Sequence, residues 1–189
     1  MTAQVYGSAA AVEAVREFLE DGTHQGAGSP AQTFNGFLAE YRTALSVTTA
    51  VLPDIAIFET LWNRGSQATR YPSCSIVEAF STGESEGPNS RMVDHSIEVA
   101  IFVLSAQIAG SEQAATLAAT RYADALRAFF FRRVPVVAQG WTLNTGGTGD
   151  AQSRVIRCEV ENVDMGVDDA TPPNWIPLVR LVVRMQEAY

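Results

Sequence analysis

The side chains able to do chemistry are few in this sequence, and their spacing suits none of the common sites. It holds two histidines and two cysteines. His24 lies in a glycine-rich stretch and His95 opens an apolar-alternating run, so neither has a companion at the spacing a zinc site needs. Asp94 and His95 are adjacent; on a strand they point to opposite faces, which prevents a simple acid–base dyad between them. Gly146-Gly147-Thr148-Gly149-Asp150 looks superficially like a phosphate loop, but it lacks the lysine and the following hydroxyl and reads as a turn. Asp164, Asp168 and Asp169 do not complete a calcium-loop pattern. Cys74 and Cys158 are too few for a disulfide framework. Each sits in an alternating apolar run and is expected to be a small buried hydrophobe, with the two as possible neighbours in one sheet. No catalytic, cofactor or metal site is therefore expected. A metal-dependent hydrolase stays as a remote alternative without a ligand cluster to support it.

Charge narrows the field further. All thirteen basic residues are arginine, against twenty-one carboxylates, for a net charge of -8. The absence of lysine removes the Walker-type phosphate site, the Schiff-base amine and the polybasic nucleic-acid tail. Arg132-Arg133 could meet phosphate, but two charges on so acidic a chain make a poor backbone-binding surface. An acidic protein can still surround DNA, because carboxylates lining a channel keep a duplex from sticking to the wall. The chain is 47% hydrophobic and long enough for a sizeable core. It begins without the basic start and apolar run of a secretory signal. No stretch approaches the roughly 20 apolar residues of a membrane span. The expectation is a protein made in the cytoplasm with no membrane partner.

The elements that must carry these residues follow from periodicity. Ser8 to Leu19 reads as a helix with Val12, Val15 and Leu19 on one face, stopped by Asp21-Gly22. A second helix is expected to start at Ser29-Pro30, with Gln32 in a capping box, and to run to Pro53. Phe34, Phe37, Leu38, Tyr41, Leu45 and Thr48 would share its apolar face, with Glu40, Arg42 and Ser46 elsewhere. An irregular strand is expected near Ile55 to Trp62 and a clear one from Tyr71 to Phe80. The ten residues from Ser81 to Ser90 have no apolar member and read as a mobile loop. His95, Ile97, Val99, Ile101 and Val103 then alternate with Asp94, Ser96, Glu98 and Ala100, before Phe102 and Leu104 make both faces apolar. Ser111 can cap a helix over 112–132 whose apolar arc holds Ala114, Leu117, Ala118, Arg121, Tyr122, Ala125, Leu126, Phe129 and Phe130. A short extended segment before Trp141, a strand from Val155 to Asn162, a loop from Gly166 to Asn174 and a strand from Trp175 to Met185 complete the order. In the last strand Arg180 and Arg184 share a face, exposed or paired with Glu159 and Glu161. The class is α+β: an antiparallel sheet of four or more strands covered on one side by helices. An N-terminal helical arm over 1–62 would precede the main domain over 63–189.

Tyr71-Pro72 leading into a strand, the polar acidic stretch, His95-Ser96-Ile97-Glu98-Val99 and the helix segment Arg121-Tyr122-Ala123-Asp124-Ala125-Leu126 together resemble the tail-terminator or tail-completion proteins of long-tailed bacteriophages. The resemblance covers Tyr71 to the C-terminus and rests on short, largely structural motifs. It implies a ring, usually of six copies, at the head-proximal end of the tail tube, which ends tube polymerisation and joins the tail to the head connector. The partners would be further copies of the chain, the tail tube protein and a head-closure or adaptor protein. Double-stranded DNA would pass through without sequence-specific binding, and the location would be the virion neck, assembled in the host cytoplasm. On this resemblance Glu84, Ser85, Glu86, Asn89 and Arg91 belong to a lumen or axial-contact loop. Phe131, Arg132, Arg133, Arg180 and Arg184 would form a subunit interface, where arginine pairs with carboxylate in a plane. Asp168, Asp169 and Trp175 would belong to a second contact loop. The N-terminal arm is longer than the family pattern, and a head-closure or adaptor protein that uses it to reach the portal side is the alternative.

Overall fold

A computed structural model describes residues 8–22, 32–60, 71–87, 90–104, 111–133, 141–143, 153–168 and 174–188. The element order is α1 (Ser8–Glu20), α2 (Phe34–Leu45), β1 (Ile57–Glu59), β2 (Ser73–Gly87), β3 (Ser90–Leu104), α3 (Glu112–Arg133), β4 (Trp141–Leu143), β5 (Ser153–Asp168) and β6 (Asn174–Ala188). The strands form one sheet in the order β1-β2-β3-β6-β5-β4. Among the described residues, only the β1–β2 pair is parallel. The expected α+β class, with a largely antiparallel sheet packed against helices, is what forms.

Helix α1 buries Ala11, Val12, Ala14, Val15, Phe18 and Leu19, a stripe at helical spacing that reaches β1, β2 and β3. Arg16 on the outer side pairs with Glu13 and Glu20 one turn away on either side. Gly22 ends the segment at φ 69°, and a Cβ there would meet the Gln32 backbone at 3.0 Å, so the expected glycine stop has a steric reason as well.

Helix α2 departs from expectation at both ends. Its N-cap is Thr33, whose Oγ1 accepts from the Gly36 N–H at 3.0 Å. Ser29 and Pro30, the expected start, lie outside the described residues. The helix stops at Leu45 because Ser46 turns left-handed at φ 55° and its N–H closes on Thr43 O. Pro53 is therefore not its terminator. Leu45 is 40% exposed while Arg42 is buried, the reverse of the expected faces. Arg42 reaches under the turn that follows and donates to Leu52 O at 3.1 Å and to Asp54 at 2.8 Å.

Helix α3 starts at Ser111, whose Oγ accepts from the Ala114 N–H at 3.1 Å, as its sequence predicts. Tyr122, Ala125, Leu126, Phe129 and Phe130 of the expected arc are buried, but Leu117 is 48% exposed. The helix lies over β3, β5 and β6. Phe129 packs edge-on to Phe18, Phe34 and Phe37 at centroid distances of 5.3, 5.5 and 5.5 Å, which ties the three helices together. Side chains of α1 and α2 lie in the same hydrophobic cluster as those of α3 and the sheet.

On the sheet the core face is built from Cys74 and Ile76 of β2, Ile97, Val99, Ile101 and Val103 of β3, Cys158 of β5, and Val179, Leu181, Val183 and Met185 of β6. Ala100 and Phe102 are also buried, so this end of β3 is covered on both sides, as its doubly apolar sequence predicts. The two cysteines are free and buried. They sit on β2 and β5 with β3 and β6 between them, so they are not neighbours.

A candidate assembly surface

The polar stretch from Ser81 to Ser90 is strand for most of its length, which corrects the expected ten-residue loop. The β2–β3 pairing continues through Ser81 opposite His95, Gly83 opposite Val93 and Ser85 opposite Arg91, and ends with Gly87 opposite Ser90. Strand β6 follows β3 to the same end, pairing Arg91 with Glu187 and Ser90 with Ala188. The sequence hid this because backbone hydrogen bonds, which need no apolar side chain, hold the ribbon. At roughly 3.4 Å per residue the 15-residue strands β2, β3 and β6 each span on the order of 50 Å. Glu84, Ser85, Glu86 and Arg91 are thus strand positions near the ribbon end, and Asn89 lies outside the described residues.

The second expected contact loop is shorter than predicted, since β5 continues to Asp168, opposite Asn174. Asp169 lies outside the described residues. Trp175 is half-buried between Val167 of β5 and Val103 of β3. Its indole Nε1 is buried without a hydrogen-bond partner among the described residues. Ribbon end and Trp175 lie at opposite poles of the sheet, so the two groups of expected contact residues do not come together. Phe131, Arg132 and Arg133 form the last turn of α3.

Arg180 and Arg184 do share the sheet face away from the core cluster. Their carboxylate partners are on β3, not on β5. Arg180 donates to Glu98, with Nη2 at 2.5 Å, and Arg184 donates from Nε and Nη2 to both Asp94 oxygens at 2.7 Å. Glu98 directly opposes Arg180, and Asp94 directly opposes Arg184. Hydrogen bonding to Glu98 raises the Arg180 pKa, and Glu161 and Asp164 add to its negative surroundings. Glu159, Glu161 and Asp164 are exposed on β5. Among the described side chains of these three strands, this half-wet face is richer in carboxylate than in guanidinium.

His95 is 1% exposed, and its Nδ1 lies 2.6 Å from Glu78 Oε1. As its sequence predicts, it does not pair with Asp94, which points to the other face. The partner comes from the next strand, a contact that needs the β2–β3 register to be known. Three further structural side chains escaped the sequence reading. Asn35 donates to Ile55 O at 3.0 Å and accepts from Ile55 N–H at 2.8 Å, Arg42 holds Leu52 and Asp54, and the Tyr122 hydroxyl donates to Pro53 O at 2.5 Å. Together they pin the segment that leads into β1. Among the described residues, no group of three His, Cys, Asp or Glu side chains is placed to hold a metal ion. Nor is any described helix long and apolar enough to cross a membrane. No protein-family model matches the chain, and no curated protein matches it significantly.

Proposed function

We propose that this protein is a structural subunit of a ring at the head-proximal end of a bacteriophage tail tube, where it ends tube growth and joins the tail to the head connector. The observation that carries this reading is the shape of the sheet. Long strands run well past the residues of the core cluster into a polar β2–β3 ribbon, with helices on one face and an acid-rich ion-pair ladder on the other. A sheet of this kind suits a wall with one face toward the helices and one toward a passage. Carboxylates on the passage side would keep DNA moving by repulsion. The ribbon would reach an axial neighbour, the tail tube protein or a head-closure or adaptor protein.

The test is particle assembly with a trimmed ribbon. Replacing residues 84–91 with a two-residue turn shortens the hairpin beyond the core and leaves the strand rows from Gly83 opposite Val93 downward. The expected result is a folded subunit and particles with uncontrolled tail length or unjoined heads and tails. Normal particles made by this variant would remove the ribbon from the joining role. A reconstruction that places the chain away from any axial opening would overturn the whole reading.

A further inference from the structure

Four large apolar side chains are exposed among the described residues: Leu45, Phe80, Leu117 and Met165. Phe80 and Met165 stand singly on β2 and β5, whereas Leu45 and Leu117 fall on packed helices. Helices α2 and α3 run antiparallel. Phe34 and Phe37 pack on Phe129, while Tyr41, further along α2, lies within the electrostatic reach of Asp124 and Arg121. Leu45 is one turn beyond Tyr41 and Leu117 one turn before Arg121, so the two leucines lie side by side on the outer surface of the helix pair. Their surroundings carry no charge. Residues 43–53 and 113–120 contain none of the chain's thirteen arginines or twenty-one carboxylates. Thr43, Ala44, Thr48, Gln113 and Thr120 are exposed there beside the leucines.

A chain of net charge -8 repels its own copies wherever carboxylates face each other, as Glu159, Glu161 and Asp164 on β5 would. Two copies meet with least repulsion where neither carries a charge, and that is where the paired leucines stand. A basic partner would be drawn to carboxylates, which this patch lacks. We infer that two copies of this chain join through α2 and α3 about a two-fold axis, with Leu45 of each copy against Leu117 of the other. The patch is self-complementary because its two helices are antiparallel. Half a turn about an axis between them lays α3 of the second copy along α2 of the first in the same direction. Residues 43–48 of one copy then run beside 115–120 of the other, charge-free run against charge-free run. Two antiparallel helices stack on two, as in the layers of a four-helix bundle. Ala44 and Ala114, beside the leucines, leave room for the opposing side chains. A two-fold contact uses up the patch on both copies and stops at two.

The inference stands apart from the ring reading, since it engages neither the sheet nor the ribbon. The test is sedimentation of the full chain over a range of concentrations, with Leu45→Asp and Leu117→Asp compared with Thr82→Asp, at an exposed β2 position outside the patch. The expected result is a monomer–dimer equilibrium for the parent and the Thr82 variant, weakened at least about tenfold by either leucine substitution. Both leucines are exposed, so the urea midpoint should stay near the parent's. Leu117→Gln, a milder change at the same place, should also weaken the dimer, which guards against a misfolded variant. A parent chain that stays monomeric up to about 1 mM would overturn the pairing. So would dimers that persist unchanged in both aspartate variants. Growth beyond two copies that both variants abolish would also overturn it, because a self-closing contact ends at the dimer.

Discussion

Arg184 and Asp94 meet as a two-pronged pair across the β3–β6 ladder, with Nε and Nη2 each 2.7 Å from one carboxylate oxygen. Both side chains stay partly exposed, at 43% and 31%, so water screens the attraction. The geometry favours the pair, but its contribution to stability should be only about 0.5–1 kcal/mol. Arg184→Ala and Asp94→Ala should each lower the urea midpoint slightly. The double variant should lose less than the sum of the two, and a fully additive cycle would show that the pair contributes nothing.

Phe129 is the opposite case, since it is fully buried and touches rings from both other helices. Phe129→Ala leaves a cavity where three helices meet and should cost about 3–5 kcal/mol, a large share of the roughly 5–15 kcal/mol that holds a typical domain together. Chemical denaturation should show a large fall in midpoint, with Phe129→Leu losing much less. A loss under about 1 kcal/mol would mean that the helices are not held through this ring.

Burial raises the pKa of Cys74 and Tyr122 and pushes that of Cys158 up to about 12, helped in the last case by the neighbouring Glu159 carboxylate. The ordinary values are 9.0 for the thiols and 10.0 for the phenol. Because the folded values are higher, the unfolded chain loses these protons first. The stability they carry is complete below pH 9.0 and declines as pH rises from there toward the folded values. Each group should steepen the fall by up to about 1.4 kcal/mol per pH unit. Thermal melts across that range should show the decline, and a thiol reagent at neutral pH should react only after unfolding. Rapid labelling of the folded protein would contradict the burial of both thiols.

The parts of the fold that were legible in the sequence are those where side chains set the pattern. The alternation from His95 to Val103 and the arc from Tyr122 to Phe130 gave strand and helix because an apolar face must be buried. Ser81 to Gly87 failed because a ribbon held by backbone pairing leaves no apolar signature. Arg42 and Leu45 depart from the faces that helical periodicity predicts because the turn after Ser46 brings Leu52 and Asp54 back over the arginine, a long-range event that periodicity does not record. For the candidate surface, Arg180 and Arg184 were recognisable as a shared face. Their partners Glu98 and Asp94 required the strand order.

Salt should govern self-association. The chain carries a net charge of -8, and Glu159, Glu161 and Asp164 are exposed on β5, so the copies of a ring would repel one another. Raising ionic strength from about 0.05 M to about 0.5 M shortens the Debye length from roughly 14 Å to roughly 4 Å. That should weaken the repulsion between copies while leaving uncharged contacts between them intact. Sedimentation should therefore show the average mass rising with salt, and Glu161→Gln should reach the same mass at lower salt than the parent chain. The substitution removes one carboxylate from an exposed bulge, so it should leave the folding stability within about 0.5 kcal/mol of the parent's. Association that weakens as salt is added would mean that opposite charges hold the copies together.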